Sequence, residues 1–212
     1  MKKFYLTTLP LLFICITAFN QDFWVELDTP DSVIIAKTEV TPNGDILLCT
    51  SGSIYYTNDD GLSWQVMGNP TYGISNVEYF DDGEIVAGGG WLYNSFDNGQ
   101  TWNLINDYLP LETLFRTSDN SLLLGDWWGI LKSGDRGYSW DSVYITNGSS
   151  IVGTFIEKNN TIYAGNIENI GGENSGVYRS LDFGNTWNLF CLEEYGISSL
   201  IIDKEQNILA GV

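Results

Sequence analysis

The 212-residue chain contains no histidine, and its nine Lys and Arg face 27 Asp and Glu. Without His it lacks the side chain that most often acts as general base near neutral pH and most often ligates zinc. A net charge of −18 repels a phosphate backbone, so nucleic acid is not an expected partner. The acidity reads as solubility outside the cell. Attraction of cations or basic partners is the other reading, and no clustered site in the sequence supports it. Cysteine is scarce as well: Cys15, Cys49 and Cys191. Cys15 lies in an N-terminal apolar run, and the other two sit at non-equivalent places, which predicts two buried free thiols rather than a bridge. The chain has no CxxC pair, no phosphate-cradling Gly-rich loop before a helix, no helix–loop–helix calcium loop and no basic stripe. No cofactor and no metal are expected. Proline is rare (5), whereas Gly reaches 23 and aromatics 14%, a balance that suits many tight turns between short strands.

The first segment reads as a targeting signal. Met1-Lys2-Lys3 is positive, Phe4 to Phe19 is apolar and free of acids, and Ala18-Phe19-Asn20-Gln21 leads into Asp22. This predicts a secretory signal peptide over residues 1–20, cut between Ala18 and Gln21. Its apolar centre is short for a membrane span. The mature chain, residues 21–212, is then secreted, periplasmic or held at the cell surface, with no stable span of its own.

What dominates the remainder is a repeated phrase, Ser/Thr-x-Asp-x-Gly-x-Ser/Thr-Trp. It begins at Thr57, Ser95, Ser133 and Ser180, at spacings of 38, 38 and 47 residues. A fixed phrase at a period near 40 marks one supersecondary unit copied several times. Upstream of each copy a polar turn leads into a short apolar strand, as in Asn43-Gly44-Asp45-Ile46-Leu47-Leu48 and Asp82-Gly83-Glu84-Ile85-Val86-Ala87. A fifth such piece, Glu205 to Ala210, has no phrase after it. Each unit reads as four strands; in the second they fall near 74–80, 84–88, 91–95 and 101–105. The phrase forms the hairpin between strands three and four. There Gly allows a positive φ, Asp accepts backbone N–H groups, and Trp covers the hairpin.

These residues resemble the Asp-box, or BNR, repeat of sialidases, xyloglucan-degrading glycosidases, sortilin-type receptors and photosystem II assembly-factor-like proteins. The Asp-box residues are Asp59, Gly61 and Trp64; Asp97, Gly99 and Trp102; Asp135, Gly137 and Trp140; and Asp182, Gly184 and Trp187. Gly176-Val177-Tyr178-Arg179-Ser180 before the fourth box fits the same pattern. The resemblance implies an all-β fold: a β-propeller of four near-complete antiparallel blades plus part of a fifth, an incomplete ring. Phe23-Trp24-Val25-Glu26-Leu27 resembles the strands after each box, and a ring-closing strand around Trp24 is expected to complete the blade begun after Gly196. The missing fifth box suggests a fragment of a longer protein. Such units also occur in large exported proteins with a C-terminal sorting domain.

In enzymes of these families the substrate sits on the face opposite the boxes. The four box aspartates therefore read as turn-stabilising, and no catalytic residue is assigned. A sialidase needs three convergent arginines, but Arg136 and Arg179 lie in or beside boxes, and only Arg116, late in an inner strand, is near a plausible place. The carboxylates expected on the opposite face, Asp107, Glu112, Asp126, Glu168 and Glu193, form no motif pair for glycoside hydrolysis, and solvated loop acids are the plainer reading. Aromatics there are more suggestive. Asp126-Trp127-Trp128 and Trp91 fall in links between strands two and three, and Tyr72, Tyr108 and Tyr195 in blade-to-blade links. These rings either stack on a sugar or protein ligand or pack between blades. The long loop 166–175 is the most individual of the chain. Asn147-Gly148-Ser149 and Asn159-Asn160-Thr161 match the glycosylation acceptor pattern. The leading expectation is a secreted, non-enzymatic propeller that binds a protein or glycan. The alternative is a carbohydrate-active hydrolase with part of its catalytic set in missing blades.

Overall fold

The computed structural model describes residues 35–41, 43–50, 53–68, 74–107, 109, 111–145, 150–168 and 175–212. The signal segment, the Trp24 strand, Tyr72, Tyr108 and Asn147 lie outside them. All regular structure among the described residues is β, and none of it is a helix able to cross a membrane. The first blade comprises β1 (Ile35–Val40), β2 (Ile46–Thr50), β3 (Ile54–Thr57) and β4 (Gln65–Val66). The second comprises β5 (Asn76–Tyr79), β6 (Ile85–Gly88), β7 (Leu92–Ser95) and β8 (Asn103–Asn106). The third has β9 (Thr113–Arg116), β10 (Leu122–Gly125), β11 (Gly129–Ser133) and β12 (Asp141–Ile145). The fourth has β13 (Ser150–Lys158), β14 (Thr161–Glu168), β15 (Gly176–Ser180) and β16 (Asn188–Cys191). A two-stranded sheet, β17 (Ser199–Ile202) and β18 (Ile208–Gly211), follows. Every sheet is antiparallel with its strands in chain order. The first strands touch in succession, β1 with β5, β5 with β9, β9 with β13 and β13 with β17, so they line the inner edge of a β-propeller.

The blades adhere through apolar wedges. Side chains alternate across a strand, so each central strand feeds two cores. Leu122 and Leu124 enter the core shared with the second blade, and Leu123 enters the core shared with the fourth. This is why β6 and β10 are buried throughout. The outer strands add a device of their own. In blades two, three and four the third and fourth strands slip register, leaving Ile105, Val143 and Phe190 without a facing partner. Each stands three residues after a box Trp. Such a bulge re-aims a side chain, and Ile105 and Val143 are turned onto the core shared with the next blade. Phe190 is exposed instead, its ring edge-on to Tyr163 at 5.6 Å and under the Arg179 guanidinium.

The box turns share one hydrogen-bond set. In the second, Ser95 Oγ donates to Asp97 Oδ1 at 2.8 Å and accepts the Gly99 N–H at 2.8 Å. Asp97 Oδ1 also accepts the Thr101 N–H at 2.8 Å, and its Oδ2 accepts the Thr101 hydroxyl. The other boxes repeat the set from Thr57, Ser133 and Ser180. Hydroxyl bonds, first among them that from Ser63 or Thr101, lower Asp59 and Asp97 from 3.8 to about 2. A carboxyl lowered on folding stabilises the fold above its unfolded value, and that contribution fades as pH falls toward 2. Positive φ occurs at two successive residues, not at Gly alone: Asp60 (58°) and Gly61 (85°), Arg136 (62°) and Gly137 (98°). Both central residues of a type I′ hairpin turn need this.

Three expectations are corrected. Asn166 to Glu168 is not loop; it extends β14 and pairs with Ser150 to Val152. Cys49 is buried, and its burial pushes the thiol up to about 12. Cys191 is free too but exposed, because it ends the outermost strand of its blade. Arg116 does not face the side opposite the boxes. Inner strands end at the turn on the box side, and there its guanidinium meets Asp81 at 3.2 Å and Asn120 at 2.9 Å.

The box Gly is also a contact with the preceding blade. A Cβ on Gly137 would lie 2.3 Å from Leu92 Cδ2, whereas one on Gly83, at similar φ (+91°), would meet nothing within 4 Å. Gly83→Ala is expected to cost about 1–2 kcal/mol from left-handed strain alone. Gly137→Ala adds an overpacking term of about 1–3 kcal/mol. Urea unfolding midpoints of the two variants measure the difference, and equal midpoints would contradict the contact.

Candidate functional site

The two faces are well separated. Turns between first and second strands share one face with the boxes, so that Asp45, Asp81 and Asn98 line one cavity. Links between second and third strands meet the blade-to-blade links on the other face. There the Leu109 N–H reaches Gly90 O at 3.0 Å, and the Ile197 N–H reaches Asn166 O at 3.0 Å.

On that second face the turn between β10 and β11 is tied down by a set of hydrogen bonds. Gly125 ends β10, and Asp126 begins the turn. Its Oδ1 accepts the N–H groups of Trp128 at 2.6 Å and Gly129 at 2.8 Å. The Asp126 carbonyl accepts the Val152 N–H of the fourth blade at 3.2 Å. Trp127 Nε1 donates to Glu112 Oε1 at 3.0 Å, and the Glu112 N–H returns to Gly125 O at 3.2 Å. Trp127 and Trp128 are held here with 42% and 65% of their surface exposed. Large aromatic surface fixed in water is unusual for a packing role and suited to stacking.

The structure thus joins four sequence candidates, Glu112, Asp126, Trp127 and Trp128. Their roles differ. Asp126 is buried; burial raises its pKa, the Trp128 and Gly129 amides oppose this, and the Glu112 charge adds to the rise. Its Oδ1 holds two amides of the turn, so Asp126 is a positioning residue. Glu112 holds an indole. The other candidates scatter. Trp91 packs against the core between blades one and two, the bland alternative for these rings. Tyr195 and Glu193 are exposed in the link after β16, and Asp107 is exposed just after β8. The Glu168 side chain lies outside the described set. Arg136 and Arg179 do not converge on this face either. Arg136 pairs with Asp82 and Glu84 in the turn between β5 and β6, and Arg179 stacks on Phe190.

A group the sequence did not reveal lies at the inner edge. Lys37 and Glu39 of β1 and Glu78 of β5 line a cavity of about 300 Å³ with Thr113 and Thr154. Lys37 Nζ is 3.4 Å from Glu78 and 3.8 Å from Glu39. Burial raises Glu78 from 4.5 to about 7; Lys37 opposes the rise and Glu39 adds to it. The only sequence signal was an acid inside a short apolar inner strand.

Neither a family model nor a curated protein sequence matches the chain. Solved structures do. The chain shares a β-propeller fold with them. An extracellular domain of a B. thetaiotaomicron hybrid two component system superposes with TM-score 0.64 at 14% identity, over 89% of this chain and 27% of that one. YCF48 bound to D1 peptide matches with TM-score 0.51 at 21% identity, over 77% of this chain and 55% of that one. A Hadza microbial sialidase matches with TM-score 0.55 at 15% identity, over 74% and 46%. The chain thus spans well under two thirds of each of these three structures. The set thus includes an extracellular domain of a two component system, a protein bound to a peptide and a sialidase.

Glu78 supplies a pH test. Its raised folded pKa means that its contribution is full below the unfolded value and is lost as pH rises through the folded one. Stability should therefore fall as pH rises from about 4.5 to about 7. Glu78→Gln should flatten that stretch in urea titrations. A slope unchanged in the variant would assign it to another group.

Proposed function

We propose that the chain is an Asp-box propeller module, exported by its first 20 residues, whose mature part (21–212) binds a protein or glycan on the face opposite the boxes. The observation that carries the reading is the Trp127–Trp128 pair, left exposed on a turn tied down by Asp126 and Glu112. A rigid turn holding two flat apolar rings in water offers contact area at low ordering cost, which is how binding surfaces use Trp. The carboxylates nearest the rings favour binding over hydrolysis. Asp126 accepts two backbone N–H groups, and Glu112 an indole N–H, so neither is poised as half of a glycosidase pair. The bound peptide in the YCF48 structure supports the same direction by analogy of fold. Trp91, Tyr195, Tyr72 and Tyr108 are further contact candidates, and no cofactor, metal or nucleic acid enters the reading. Hydrolase activity is the competing reading, its catalytic set lying partly outside these residues.

The test uses glycan and peptide arrays probed with the exported chain. Trp127→Ala and Trp128→Ala should each weaken the strongest array signal by about tenfold or more, the usual effect of truncating a central aromatic contact. Glu112→Gln should weaken it less, because it keeps an acceptor for the Trp127 indole. Binding unchanged in both Trp variants would remove this turn from the site. Turnover of an aryl glycoside, abolished by one loop carboxylate substitution, would favour the hydrolase.

A further inference from the structure

The face that carries the boxes holds a cavity with a chemistry of its own. It opens between blades one and two, with a volume of about 640 Å³, within the range of small-ligand sites. Its walls include Tyr79, Phe80 and Phe96, with Asp45, Asp81 and Asn98 among the polar residues. No described lining residue is basic. Phe96 occupies the second place of the second box, between the Ser95 and Asp97 that form the turn, and 67% of its surface is exposed. The box hydrogen bonds run from Ser95, Asp97 and Thr101, so nothing in the turn requires an aromatic there.

One wall already displays the matching interaction. The Phe80 ring takes the Arg136 guanidinium at 4.5 Å and that of Arg116 at 5.7 Å. Arg116 also pairs with Asp81, whose carboxylate remains mostly exposed. Asp45 acts on the same space: after burial, its charge is the next cause raising the Tyr79 hydroxyl pKa. Aromatic faces and carboxylates around one cavity favour a cation over an anion or a neutral sugar, since ring quadrupoles and carboxylates attract the same sign.

We propose that this cavity binds an alkylammonium or guanidinium group, stacked on Phe96 and neutralised by Asp45, the Asp81 carboxylate beside them being already paired with Arg116. The group could belong to a free organic cation or to a Lys or Arg side chain of a partner. The site is separate from the Trp127–Trp128 turn and lies on the opposite face, so either can fail without the other.

Calorimetric titration of the exported chain at low salt decides it. The probes are Nα-acetyl-arginine amide, Nα-acetyl-lysine amide and a Gly-Ser peptide with one central Arg, against the same peptide with Gln. Saturable one-site binding of a cationic probe is expected, weaker at high salt. Phe96→Ala and Asp45→Asn should each weaken it by about tenfold, in line with the worth of a partly desolvated cation–π contact and an ion pair. Trp127→Ala should leave it unchanged, and unaltered thermal midpoints in the Phe96 and Asp45 variants exclude loss of fold. Amides binding as tightly as the peptide identify a free cation, whereas peptide binding alone identifies a partner side chain. No saturable uptake, equal binding of the Gln peptide, or indifference to both substitutions overturns the proposal.

Discussion

The whole array rests on a hydroxyl and a carboxylate held two residues apart in each box. The first-place Ser or Thr is buried, and its oxygen takes the N–H of the box Gly while its proton goes to the Asp. The Asp then takes the amide and hydroxyl four residues on. Buried backbone N–H groups must find partners, and here they find them without a sheet ladder. This set sustains two successive positive-φ residues, which brings the Gly against the preceding blade. The same bonds engage both carboxylate oxygens of all four box aspartates within their own turns.

From that contact the packing follows. A box Gly with no Cβ lets Met67, Leu92 or Leu123 of the previous blade approach, and the box Trp fills the wedge beside it. Three residues later the bulge sends Ile105 or Val143 the other way, toward the next blade. The second and third repeats thus grip both neighbours with residues at fixed offsets from one phrase. Such nearest-neighbour coupling characterises repeat folds and leaves the connecting turns free to differ. Two of them do: the Asp126 turn exposes two Trp, and the second box exposes Phe96.

Much of the architecture was legible because its signals are local. Gly99 and Asp97 mark a hairpin, and the apolar run Leu122–Leu124 after its polar turn marks a short strand, both of which the structure contains. The strand ends in the second unit fall within two residues of the expected ones. Less of the site was legible. Trp127 and Trp91 look alike in the sequence, each following a Gly-containing turn, yet one is held in solvent by Glu112 and the other lies on a core. Glu112 stands 15 residues from the indole it holds, and no spacing rule links them. Arg116 was misplaced because strand direction, not strand membership, decides which face a terminal residue meets. Cys191 is exposed, against expectation, because it ends an outermost strand that is exposed along its length.

The sequence by itself determined the repeat, the turn chemistry and the all-β class, since each depends on residues within about ten positions of one another, where φ preferences and local hydrogen bonds act. Only the tertiary structure decided which aromatics are exposed, which carboxylates are already occupied, and that Lys37, Glu39 and Glu78 meet across two blades. Those outcomes depend on burial and on field between distant strands, and both exist only once the blades have packed.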